Sequence, residues 1–90
     1  MPYTLLVDAD TAHLIDFVKK TIEEYETPLK SKFYCEEKRD EGGAIVIVCH
    51  WKYNIDGLGE KDFSETVAIS DFSTDMNKDQ LIMTYKLLSY

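Results

Sequence analysis

One stretch constrains this chain more than any other. From Gly43 to Ile55 it reads Gly-Ala-Ile-Val-Ile-Val-Cys-His-Trp-Lys-Tyr-Asn-Ile, the most β-prone and most apolar run present. The odd positions Ile45, Ile47, Cys49, Trp51, Tyr53 and Ile55 form an unbroken apolar row. The even positions pass from Ala44, Val46 and Val48 to His50, Lys52 and Asn54. Successive side chains of a strand point to opposite faces, so a period of two with one face apolar throughout marks a central strand with its odd face on a core. The rest of the chain has to be arranged around it.

Lys30 to Lys38 reads as a neighbouring strand with Phe33 and Cys35 on one face and Tyr34 and Glu36 on the other. The glycine pair Gly42-Gly43 between the two strands permits the positive φ of a hairpin turn, so the pairing is antiparallel. A second turn, Asp56-Gly57-Leu58-Gly59, leads into a strand from Lys61 to Phe72 whose Phe63, Val67 and Ile69 extend the odd, core-facing row. Glu65 interrupts that row, and the sheet rim is its expected place, since an inward carboxylate needs a partner or water. Before the sheet, Leu14, Ile15, Val18, Ile22 and Tyr25 repeat at helical spacing, with Thr11 in register. This predicts a helix from Thr11 to Glu26, ended by Thr27-Pro28. After the sheet, Ser73-Thr74-Asp75 offers caps for a closing helix through Met76, Gln80, Leu81, Thr84, Tyr85, Leu87 and Leu88; Leu81, Met83, Tyr85 and Leu87 also alternate as in a strand, and the caps and the need to cover the sheet favour the helix. Pro2 to Val7 reads either as an added short N-terminal strand or as an extended arm.

Ninety residues bury only about 60–65% of the surface their unfolded chain exposes. The expected architecture is therefore one α+β domain over 1–90: a three-stranded antiparallel β-meander with two helices packed on one face, in the order α-β-β-β-α. That order resembles the double-stranded-RNA-binding domain, and it is similar to that of some small acidic phage proteins that inhibit CRISPR nucleases. The RNA-binding family holds phosphates with a lysine cluster at the start of its last helix. Here that place reads Ser73-Thr74-Asp75-Met76-Asn77-Lys78-Asp79, so the resemblance implies the fold and not RNA binding.

No chemical constellation stands out. Asn54-Ile55-Asp56-Gly57-Leu58-Gly59-Glu60 has the sound of a calcium loop, but aligning Gly57 at the invariant glycine puts Lys52 and Phe63 where carboxylates are required. The two histidines, His13 and His50, fall on different elements without a nucleophile beside them. Cys35 and Cys49 lie on core-facing rows of adjacent strands and are expected to be buried free thiols. No metal, no cofactor and no catalytic residue is expected. No apolar run approaches the span of a bilayer, and two cysteines are few for a secreted scaffold, which together imply a cytoplasmic protein that does not meet a membrane.

Charge is the remaining signal. Seventeen acidic against ten basic residues leave a formal charge of -7, a surface that repels phosphate backbones and attracts cationic partners. The expected topology gathers Glu23, Glu24 and Glu26 with Asp56, Glu60 and Asp62 at one end, and Asp8, Asp10, Asp40, Glu41, Asp71 and Asp75 at the other. Of the second group, Asp8, Asp10, Asp71 and Asp75 have helix starts to cap. Glu23, Glu24 and Glu26 sit in a last helical turn, where the dipole disfavours them, so they and Asp56, Glu60 and Asp62 are the expected partner-binding residues. Reversing Glu23, Glu24 and Glu26 to lysine is expected to leave the fold intact. The leading expectation is a non-enzymatic acidic protein that docks on a basic, nucleic-acid-binding surface of a partner such as a nuclease, as a phage-like inhibitor or nucleic-acid mimic. The alternative is an accessory domain that pairs as a homodimer through the apolar second face at Ala44, Val46 and Val48.

Overall fold

The structure, a computed structural model, describes residues 9–89, and the predicted Pro2 to Val7 strand or arm falls outside them. Two helices and three strands follow in the expected order: α1 (Ala9–Glu26), β1 (Ser31–Arg39), β2 (Ile45–Ile55), β3 (Gly59–Ala68) and α2 (Lys78–Leu88), with a 3-10 turn at Ile69–Asp71 after β3. The sheet order is β1-β2-β3 and both pairings are antiparallel, so β2 is the central strand.

Its odd row carries the core. Ile47 and Cys49 are fully buried and meet Cys35 of β1, Val67 of β3, Leu14, Ile15, Val18 and Ile22 of α1, and Leu81 and Tyr85 of α2. Burying each such aliphatic side chain contributes about 1.5–3 kcal/mol. Both helices lie on this one face.

The odd row does not stay buried to its end. Trp51 is half-buried, Tyr53 is 60% exposed, and Phe63, predicted inside, is 40% exposed. β2 runs on past the helices here, so nothing on the described helices covers its last turn of pleat.

The second face differs from expectation in a corresponding way. Val46 is buried and Val48 half-buried, and only Ala44, just before β2, is exposed. Further along, Tyr34 stacks on His50 at 4.7 Å, and His50 Nε2 lies 2.6 Å from Glu36 Oε2.

Three local features depart from the sequence reading. Between Ser31 and Tyr34 the β1–β2 register slips by one residue, and Lys32 at φ 55 is the residue that absorbs it; such a bulge redirects a side chain. β3 begins at Gly59 and ends at Ala68, because the chain turns into the 3-10 segment where Ile69 still reaches the core. The cap of α2 is Asn77 and not Ser73-Thr74-Asp75. Asn77 Oδ1 accepts from the Gln80 N–H at 2.9 Å while Gln80 Oε1 accepts from the Asn77 N–H at 3.0 Å, a reciprocal capping box. That pair satisfies two backbone donors at once, which Ser73 cannot do from outside the first turn.

Candidate docking surfaces

The six carboxylates selected from the sequence fall toward the same end of the sheet, but most of them have structural work there. Glu23 Oε2 accepts from the Cys35 N–H at 3.0 Å. β1 is an edge strand, so this bond covers a backbone donor that would otherwise be open. Glu24 pairs with Lys78 of α2 at 3.2 Å. Glu26 is 3% exposed, and its Oε2 accepts from both the Tyr85 hydroxyl and the Lys30 ammonium.

The premise that these three glutamates lack a structural reason is therefore overturned. α1's buried stripe continues Leu14, Ile15, Val18, Ile22 by one more step of four to Glu26, and that step carries it under α2. On the β2–β3 hairpin, Glu60 pairs with Lys32 at 3.2 Å and Asp62 with Lys52. The Lys52 ammonium, through its hydrogen bond, holds the Asp62 carboxyl below the usual carboxylate range. Asp56 is exposed in the turn between them.

The other end has the opposite character. The register puts the β1–β2 hairpin loop and the end of β3 at this end of the sheet, and the start of α1 lies toward it, since Ala12 lines a cleft with Glu37 and His13 one with Thr74. It carries Asp10, Asp40, Glu41, Asp71 and Asp75, all exposed. Among the described residues none of these five has a lysine or arginine within ion-pair distance. Asp40 folds its Oδ1 back onto the Gly42 and Ala44 N–H groups, both at 2.9 Å, to close the hairpin. Asp71 and Asp75 cap nothing, since the capping is done at Asn77 and the 3-10 turn has no side-chain cap.

Sequence reasoning missed an aromatic shelf. Phe33, Trp51 and Phe63, one from each strand, stack in sequence with centroids 6.3 and 6.0 Å apart, and Tyr53 meets Phe63 edge-on at 6.2 Å. Leu29 and Leu58 are also exposed, at 66% and 65%. The available signal was length: an 11-residue strand at about 3.4 Å per residue outruns the buried stripe of an 18-residue helix at about 1.5 Å per residue.

Cys35 and Cys49 are the buried free thiols expected, directly paired across the strands with Sγ atoms 3.8 Å apart. The contact with Cys49, together with burial, pushes the Cys35 thiol far up from its ordinary range. No group of three or more His, Cys, Asp or Glu among the described residues is placed to hold a metal ion. No described helix is long and apolar enough to cross a membrane. No family model matches this chain, and no curated protein or solved structure matches it.

Proposed function

We propose that this protein is a non-enzymatic acidic docking module whose partner presents a basic surface of the kind that binds nucleic acid, and that it acts there as a decoy or inhibitor. The observation that carries this reading is the uneven neutralisation of its charge. Lysines sit against Glu24, Glu26, Glu60 and Asp62 at one end, whereas Glu41, Asp71 and Asp75 at the other are exposed, cap no helix and have no ion pair among the described residues.

The excess negative charge thus favours the β1–β2 hairpin end for docking over the end that carries Glu23, Glu24 and Glu26. Carboxylates on neighbouring elements offer lysine and arginine side chains the charge that phosphates otherwise supply, and such contacts raise the association rate most at low salt. The deciding experiment compares affinity capture from the native host by the wild type and by the triple variant Glu41→Lys, Asp71→Lys, Asp75→Lys. A nucleic-acid-binding protein retained by the first and lost by the second supports the reading. Capture of the same proteins by both removes it.

A second reading, self-association, rests on the aromatic shelf and no longer on the second face, where Val46 is buried. Tyr53, Leu58 and Phe63 offer exposed apolar area of the sort that pairs two copies. Light scattering of the wild type against Tyr53→Ser, Phe63→Ser distinguishes it. A wild type that is monomeric at high concentration eliminates self-association.

A further inference from the structure

The two edges of the sheet differ. On β1 the Cys35 N–H is covered by Glu23, and a bulge at Lys32 breaks the register. β3 has neither device. It pairs with β2 without interruption from Gly59 to Ala68, holds no proline, and is exposed at every residue from Gly59 to Ser64. Among the described residues no strand pairs with its outer side. Such a row of unpaired N–H and C=O groups is a template for another strand.

Side-chain order decides which strand fits. Consider β3 paired antiparallel with the β3 of a second copy, the helices of both on one side of a joined sheet. The pairing must centre on a residue, because an odd offset sets the core face of one copy beside the outer face of the other. Centred on Lys61, Asp62 or Glu65, it opposes two like charges at the axis, which is unfavourable. Centred on Ser64, it sets Phe63 against the Glu65 carboxylate. Centred on Phe63, it sets Lys61 opposite Glu65 twice, Asp62 opposite Ser64 twice, Glu60 opposite Thr66 twice, and Phe63 opposite itself. No like charges then meet.

The surroundings suit the same register. Lys61 is exposed and has no ion pair among the described residues. Of the Glu65 carboxylate only Oε2 is sealed, which leaves Oε1 for that lysine. The aromatic partners of Phe63, Trp51 and Tyr53, both stand on β2, so the row of rings can continue across the axis. Antiparallel pairing also sends the two hairpin ends, with their uncompensated carboxylates, to opposite corners of the joined sheet. There the repulsion between two copies of charge -7 is most screened by distance and salt.

We propose that β3 is a dimerisation edge: two copies pair antiparallel about Phe63, with Lys61 of each on Glu65 of the other, into one six-stranded sheet. This rests on the self-association reading and names its surface and register.

Sedimentation equilibrium of the wild type is expected to show a dimer that forms as concentration rises. Lys61→Glu and Glu65→Lys each oppose like charges twice and are expected to raise the Kd at least about tenfold. Mixed in equal amounts, the two variants face each other with opposite charges at both positions, and a heterodimer of near wild-type affinity is expected. A monomeric wild type overturns both this proposal and the self-association reading. A dimeric wild type that neither charge variant weakens, or folded variants that fail to pair when mixed, overturns the β3 edge alone and leaves the aromatic shelf as the interface. Should Glu65→Lys not fold, Phe63→Cys and Ser64→Cys decide. Residues directly opposed in an antiparallel pair have Cα atoms about 4.5–5.5 Å apart, within disulfide reach. With oxidised glutathione as the oxidant, Phe63→Cys is expected to link to its own copy and Ser64→Cys is not. Linking of both alike, or of neither, overturns the proposal.

Discussion

At Glu26 a single carboxylate oxygen serves a phenol and an ammonium away from water. Removing one member of such a group leaves the others buried without a partner, at a cost of about 3–5 kcal/mol. Glu26→Lys is therefore expected to lower the melting temperature sharply, while Glu24→Lys, on an exposed pair, should shift it little. This reverses the tolerance expected for that cluster from the sequence. Tyr85 gives a second check. Burial first, and then its bond to Glu26, raises the phenol above its ordinary pKa. A raised folded value means that stability is fully present below the unfolded pKa, about 10, and is lost as pH rises beyond it. Phenolate absorbance during alkaline titration should show one of the six tyrosines ionising only as the chain unfolds. Ionisation of all six before any loss of helix signal would contradict the buried placement. Thr21 is a simpler case: its hydroxyl is buried with no partner among the described residues. Thr21→Val keeps the shape and removes the unmatched group, and is expected to raise stability by about 1 kcal/mol in chemical denaturation.

Among the elements, α2 owes its start to one residue pair. Asn77→Ala removes the oxygen that accepts from the Gln80 N–H and should cost about 1 kcal/mol, whereas Ser73→Ala should be nearly silent by thermal melting. The sequence made the helix visible through its spacing but misplaced the cap, because Ser, Thr, Asp and Asn all suit a cap and only the reciprocal Gln80 decides among them. Strand order and the buried half of β2 were legible for a firmer reason: a period of two over Ile45, Ile47 and Cys49 admits one inward face. The same rule misjudged Phe63 and Tyr53, since periodicity tells which face a side chain takes and not how far the opposing helices reach. Lys32 was illegible in principle. A register slip at a non-glycine residue leaves no mark in composition, and its effect, the turn of Lys32 toward Glu60, appears only with the strands paired. Glu65 shows the limit most plainly. Its interruption of the odd row was visible, and the rim was the sensible place for it, yet it stands beside Cys49 with one oxygen sealed.

For the whole molecule the question is whether a charge of -7 is a solubility device or a binding one, and the two make different predictions. A solubility device depends on the total and not on location, so moving charge between ends should matter little. Docking depends on where the field is uncompensated. Glu41, Asp71 and Asp75 are exposed and, among the described residues, bear no cap or ion pair, so their reversal to lysine should leave the melting temperature within about 2–4 °C per site, the small effect expected of surface substitutions. Against a basic partner the same reversal replaces attraction with repulsion at three positions. Most of the loss should appear in the association rate, and the gap between wild type and variant should narrow as salt shortens the screening length toward about 3 Å at 1 M. Reversal of Asp56, Glu60 and Asp62 is the matched control, because it alters the total charge equally while disturbing an end where Lys32 and Lys52 already neutralise two of the three. Stopped-flow association at several salt concentrations separates the cases. If both sets slow association alike, the field acts only through its total, and the hairpin end has no special part in docking.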